Sequence, residues 1–258
     1  MNDIEARFRT AGRFTDALKR GDFSLFCQQI VPIASAKLNY KYLEIFIRFK
    51  EEEDKLLPPG TFFPVLEVNH LTPLLDRWVV REVLRWTGEK RGVQANWHIP
   101  RFNINLADDT VRDKDFPVFV RDQLNATKVP ADRLSFEVTA QQFAQLPAAT
   151  KQAITGLKVL GCPVAVSDFS ENEAVAKTYR DAGIQIVKIA ASVILDAHEN
   201  PLAASKLLAL NGWCQKLGLK TVATFVENRE TLAVLGKAGV DFAQGFGIAV
   251  PIPLSLMH

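Results

Sequence analysis

At 258 residues, 48% apolar and 23% charged, with a formal charge of +2, the chain fits one large domain and not a nucleic-acid surface, which concentrates Lys and Arg on one face. Its three cysteines lack CxxC spacing and its four histidines lack i, i+4 partners, so neither a disulfide framework nor a zinc or histidine–metal site is supported. No run of about 18 apolar residues and no opening stretch of signal length occur, so a soluble, cytoplasmic domain without membrane contact is expected.

In chain order, Ile4, Phe8, Ala11, Phe14, Ala17 and Leu18 fall at helical spacing and stop at Gly21, which predicts a helix over residues 3–20 leading into the domain. Two strand-like runs follow, Phe23 to Ile33 and Tyr40 to Phe49. The link between them is too short for a crossover helix, so they must pair antiparallel. The acidic run Glu51 to Asp54, ahead of Pro58-Pro-Gly60, reads as a solvated loop. A helix opens at Leu71-Thr-Pro-Leu, with Thr72 as its cap, Pro73 in its first turn, and an apolar face from Leu74 to Trp86.

Further helices are predicted at about 115–127, 142–160, 171–182, 201–217 and 228–238. They alternate with strands at 102–106, 134–139, 163–168, 184–190, 220–225 and 241–246. Such alternation builds a parallel sheet covered by helices, with right-handed crossovers. With the first pair this makes eight strands, and the length is typical of one closed barrel. The expected fold is an α/β, TIM-like (β/α)8 barrel spanning residues 1–258, with an antiparallel first strand pair and residues 1–20 as its leading helix.

Each apolar run ends in a lone polar group: Arg48, Asn105, Glu137, Asp168, Lys188 and Gln244. In a barrel of this kind the strand ends at one face carry the chemistry. These residues and their neighbours resemble the motifs of the EAL family of cyclic di-GMP phosphodiesterases over roughly residues 12–254. The Glu-Ala-Leu signature stands here as Glu44-Ile45-Phe46, with Arg48 as the arginine of Leu-x-Arg. Gln29 is matched to the early glutamine, with Ile30 where a proline usually follows. Asn105 matches Val-Asn-Leu-Ser, Glu137 the first acid of Glu-Ile-Thr-Glu, and Lys188 the lysine of Lys-Ile-Asp. Glu227 matches the second acid of Ala-Glu-Gly-Val-Glu, and Gln244-Gly245-Phe246 matches Gln-Gly-Tyr.

The departures are acidic positions. Ser167 takes the first place of Asp-Asp-Phe-Gly, Ala140 the second acid of Glu-Ile-Thr-Glu, Ala190 the aspartate of Lys-Ile-Asp, and Thr224 the first acid of Ala-Glu-Gly-Val-Glu. The resemblance implies a two-metal phosphodiesterase in which the missing first aspartate bridges both ions, and such a centre needs carboxylates to hold the pair and to generate hydroxide. The catalytic remnants Glu44, Asp168, Lys188 and Glu227 are therefore not expected to support more than a trace of turnover. Glu44, Asn105 and Glu137 remain as a single metal site at most. No cofactor is required, with room for one weakly bound Mg²⁺ or Mn²⁺.

The ligand-binding set implied is Gln29, Glu44, Arg48, Asp76, Asn105, Glu137, Asp168, Lys188, Glu227, Gln244, Phe246 and Pro251. Arg48 offers a bidentate fork to a phosphate, and Phe246 and Pro251 offer flat apolar surface to a guanine. Asp76 either accepts from a guanine edge or is a solvated acid at a helix start. Lys188 is expected to set its ammonium among Glu44, Glu137 and Asp168, since converging carboxylates repel without a cation. The resulting expectation is a degenerate EAL domain that is not an enzyme and binds cyclic di-GMP as a receptor in bacterial second-messenger signalling, with a protein partner and room for a homodimer. The alternative is a protein-interaction regulator that has lost the nucleotide, favoured by the bulk of Ile45-Phe46. A working phosphodiesterase would need a rearranged metal site.

Overall fold

A computed structural model describes residues 8, 10–33, 40–50, 56–93 and 97–257. Most of residues 3–9 of the expected first helix, the link between the first two strands, and the Glu51–Asp54 run lie outside the described residues.

Helix α1 (Ala11–Arg20) is capped by Thr10, whose side chain accepts from the Arg13 backbone N–H, and ends on Gly21 at φ 79°, a conformation that costs glycine little. Strands β1 (Phe23–Pro32) and β2 (Tyr42–Lys50) pair antiparallel, with Phe23 opposite Phe49 and Ile30 opposite Tyr42. A short β3 (Leu56–Leu57) pairs with β2. Helix α2 (Pro59–Val68) was not expected, because Pro-Pro-Gly reads as a turn. Here Pro59 starts the helix, where its missing N–H leaves no bond unmade. Helix α3 (Thr72–Val93) follows as expected, with Leu75, Val79, Val83 and Leu84 buried on one face.

The rest of the chain alternates: β4 (Arg101–Asn105), α4 (Asp108–Arg112), α5 (Phe116–Thr127), β5 (Leu134–Thr139), α6 (Ala140–Gln145), α7 (Pro147–Val159), β6 (Val164–Phe169), α8 (Glu173–Ala182), β7 (Ile186–Ile189), α9 (Ala191–Ile194), α10 (Pro201–Lys216), β8 (Lys220–Ala223), α11 (Arg229–Ala238), β9 (Phe242–Ala243) and β10 (Ile252–Pro253). Strands β2 and β4 to β9 run parallel in sequence order, and β1 closes the barrel by pairing antiparallel with both β2 and β9. The antiparallel pair is present, and the reversed strand has a reversed neighbour on each side.

Side chains alternate between the barrel interior and the helical layer. Ile30, Tyr42, Ala165, Ile186, Val222 and Phe242 meet inside near the strand starts and form an apolar floor. Opposite-facing residues such as Leu43, Ile104, Phe136 and Val166 join the main core beneath the helices. A separate aromatic core, in which Phe8, Phe14, Phe23, Phe49 and Phe62 stack edge-on or tilted, fastens α1 and α2 against the end of β2. With the floor packed and this end fastened, the interior opens toward the strand ends.

Candidate functional site

Above the floor lies a polar layer. Glu44 on β2, Glu137 on β5 and Lys188 on β7 are all buried, and the Lys188 ammonium lies 2.6 Å from a carboxylate oxygen of each glutamate. Asn105 donates its amide to Glu44 at 3.1 Å, and Asn103 donates to Glu137. Burial alone would lower the Lys188 pKa, but attraction to the two carboxylates outweighs it and holds the ammonium above its ordinary value. Burial pushes both glutamates up. The ammonium brings Glu44 back below its ordinary range, while Glu137, also repelled by Glu44, stays raised. One cation thus faces two acids in a region of low dielectric.

Around this layer a cavity of about 570 Å³ opens at the mouth, with Glu44, Arg48, Asn105, Glu137, Asp168, Lys188, Glu227, Gln244, Phe246 and Pro251 on its wall. Ten of the expected ligand residues therefore converge, and two do not. Gln29 is exposed on the outer face of β1, beside Cys27 and Ile252. The residue that enters the site is Gln28, directly opposite Glu44 in the β1–β2 ladder and hence on the same face. Its amide donates to the Ala249 carbonyl at 2.7 Å, and its side-chain oxygen accepts from Gln244 at 2.9 Å. Asp76 is neither a solvated acid nor on this wall. It is buried, accepts from the Ala107 N–H at 2.9 Å, and lines a neighbouring cavity of about 550 Å³ between α2, α3 and the ends of β2 and β4. Burial pushes its carboxyl up to about 6. Phe46, Asn105 and Thr139 belong to the walls of both cavities.

Asp168 also departs from expectation. A register shift at the end of β6 gives it φ 62° and turns it out to the exposed rim, away from the lysine cluster. Among the described residues it makes no ion pair, so Lys188 gathers Glu44 and Glu137 alone. Arg48 is poised differently. Its guanidinium lies 5.3 Å from the centre of the Phe26 ring and 5.9 Å from that of Phe46. Among the described residues it pairs with no carboxylate, and its one hydrogen bond is to the Ile47 carbonyl. An arginine held flat by aromatic faces keeps its fork for an anion.

The residues missed by sequence reasoning are Gln28, Asn103, Phe26, Thr139 and Phe225. Thr139 and Gln142 form a capping box that starts α6, so Thr139 serves the helix while lining the cavity. A Thr-x-x-Gln pattern after β5 was the available signal.

The family described as EAL domain matches residues 11–251. The chain belongs to that family. It is 29% identical over 254 residues to cyclic di-GMP phosphodiesterase PdeF of Escherichia coli, covering 98% of this chain and 33% of that protein. Against cyclic di-GMP phosphodiesterase PdeB of Shewanella oneidensis the identity is 24% over 245 residues, covering 95% of this chain and 28% of the relative. The chain thus spans about a third of the length of these relatives. Its fold matches the crystal structure of the Xanthomonas citri FimX EAL domain in complex with c-diGMP, with a TM-score of 0.86 at 21% identity over 98% of this chain and 97% of that one.

Within the EAL frame, the side chains present do not fit a pair of divalent ions. Ser167 and Thr224 line the cavity with neutral hydroxyls, and Thr224 donates its own to the Ile189 carbonyl at 3.2 Å. Ala190 precedes α9 and Ala140 is buried at the start of α6, so neither offers a ligand. The two buried carboxylates already spend an oxygen each on Lys188. Among the described residues no cluster of three acids, histidines or cysteines has a metal-binding arrangement. What the mouth can do chemically is hold an anion with Arg48, accept and donate hydrogen bonds with Gln28, Asn105 and Gln244, and cover flat apolar surface with Phe246 and Pro251.

Proposed function

We propose that this EAL domain binds cyclic di-GMP at the barrel mouth without hydrolysing it, and passes its occupancy to a protein partner in bacterial second-messenger signalling. The observation that carries this is the wall of the mouth, where Ser167 and Thr224 set neutral hydroxyls at positions that the family's motifs fill with acids, around a Lys188 ammonium 2.6 Å from both Glu44 and Glu137. A resident side-chain cation replaces part of the charge that metal ions would supply, and hydroxide generation has no substitute here. One weakly held Mg²⁺ or Mn²⁺ at Glu44, Asn105 and Glu137 is compatible with this function but not required by it. The binding side of the proposal draws on the guanidinium of Arg48, which pairs with no carboxylate among the described residues, and on the FimX EAL domain, whose structure holds c-diGMP in the same fold.

Phe46 favours a second reading. It stands in the wall of both cavities where the family signature has leucine, and a bulkier side chain there is what a domain retained for protein contacts would tolerate. Calorimetric titration with cyclic di-GMP, with Mg²⁺ and with a chelator, separates the possibilities. Metal-independent affinity on the order of micromolar or tighter, with no linear dinucleotide formed, is expected. Absence of heat moves the assignment to the interaction module, and linear product makes the domain an enzyme.

A further inference from the structure

The segments that follow β8 and β9 meet at the rim of the mouth. The Val226 N–H donates to the Gln244 carbonyl at 3.0 Å, and the Gly247 N–H donates to the Val226 carbonyl at 3.0 Å. A Cβ on Gly245 would lie 2.2 Å from the Val226 carbonyl oxygen, and one on Gly247 would lie 2.4 Å from the Glu227 carbonyl group. Only glycine allows the two backbones to approach so closely. They form a single shelf, and it carries Phe225 and Phe246 on the cavity wall, with 58% and 70% of their surface exposed.

Phe225 is the more telling of the two. Its backbone has φ 56°, which is a steric outlier for a bulky residue. The position corresponds to the glycine of Ala-Glu-Gly-Val-Glu, here Ala223-Thr224-Phe225-Val226-Glu227, where such a φ would be free of strain. The ring also gains little from burial, since more than half of it remains in water. Strain without packing in return is the pattern of a site held for a ligand. The phosphate-seeking fork of Arg48 is on the wall of the same cavity, which leaves the rings of Phe225 and Phe246 for the flat part of a nucleotide.

We propose that Phe225 is a base-stacking residue that, together with Phe246, presents its aromatic face to a purine base of the bound dinucleotide. This rests on the receptor function proposed above and adds an affinity-giving contact that the family's glycine does not provide. Stacking of this kind tolerates any planar base but not its absence.

The test uses the whole chain and three variants, Phe225→Gly, Phe225→Leu and Phe225→Tyr, with melting temperature and calorimetric affinity for cyclic di-GMP read on each. Phe225→Gly is expected to melt at or above the wild type, because the backbone strain is released, and to bind about ten-fold or more weakly. Phe225→Leu loses affinity to a similar degree, and Phe225→Tyr retains it. Equal affinity in the wild type and Phe225→Gly overturns the proposal while leaving the receptor function standing. A Phe225→Gly chain that melts well below the wild type also overturns it, by giving the ring a structural purpose. If the wild type gives no binding heat, the receptor function fails and the stacking proposal fails with it.

Discussion

Lys188 balances two buried carboxylates, so its removal should be felt more in stability than in any contact with solvent. Replacing one partner of a buried charge cluster leaves the others unpaired, at a cost of about 3 kcal/mol or more. In Lys188→Met the two glutamates would face each other with raised pKa values, and a raised acid loses stability as pH rises past its unfolded value. The melting temperature of Lys188→Met should therefore fall further below the wild type at pH 8 than at pH 5. A constant difference across that range would remove the electrostatic role assigned to the lysine. Asp76 gives a cleaner titration, being buried with its carboxyl pushed up to about 6. Between about pH 4 and 6 the unfolded chain releases a proton that the folded chain keeps, so stability drops across that window by on the order of 2–3 kcal/mol. Asp76→Asn removes the ionisation and keeps an oxygen for the Ala107 N–H. It should melt above the wild type at pH 7.5 and lose that advantage below pH 4; the opposite order would mean that burial is not what raises the carboxyl.

At the scale of elements, β1 is the instructive strand. Its sequence, Leu25-Phe26-Cys27-Gln28-Gln29-Ile30, is apolar on both sides of two adjacent glutamines, so no polar alternation identifies the inward one. A shift of one residue exchanges the two faces. The ladder with β2 decides it, by setting Gln28 opposite Glu44 and Gln29 opposite Leu43. Gln28→Ala should weaken cyclic di-GMP binding several-fold while Gln29→Ala leaves it unchanged in the same calorimetric assay, and the reverse result would mean that the register is wrong. Other strand-end residues were legible because each closes an apolar run before a helix, as Glu137 does before α6 and Lys188 before α9. Two kinds of feature were not. Helix α2 begins in prolines that also suit turns, and the end of β8 reads on through Thr224-Phe225, β-prone residues whose backbone in fact leaves the strand with φ 56° at Phe225. Propensity describes a residue's average surroundings, whereas these two places depend on contacts with α3 and with the Gln244–Gly247 segment.

Over the whole molecule, the barrel and its polar mouth are intact while the charge that a cation pair needs is missing from several strand ends at once. Ser167 lies near the end of β6, Ala190 follows β7 and Thr224 follows β8, three neighbouring staves of one wall. Restoring a single acid adds repulsion to the buried glutamates without completing a ligand set, so the effects should be strongly non-additive. Ser167→Asp alone should lower the melting temperature and respond weakly to Mn²⁺. The triple variant Ser167→Asp, Ala190→Asp, Thr224→Glu should be the least stable chain in chelator and should regain several degrees with excess Mn²⁺, because bound metal stabilises the folded state by mass action. Slow, Mn²⁺-dependent release of linear dinucleotide is the expected second readout. Ala140 is left out of the set, since it is buried at the start of α6 and a glutamate there would enter the core. If the triple variant gains no more stability from Mn²⁺ than the wild type, the reason proposed for the absence of hydrolysis, too few carboxylates at the mouth to hold a metal pair, is wrong.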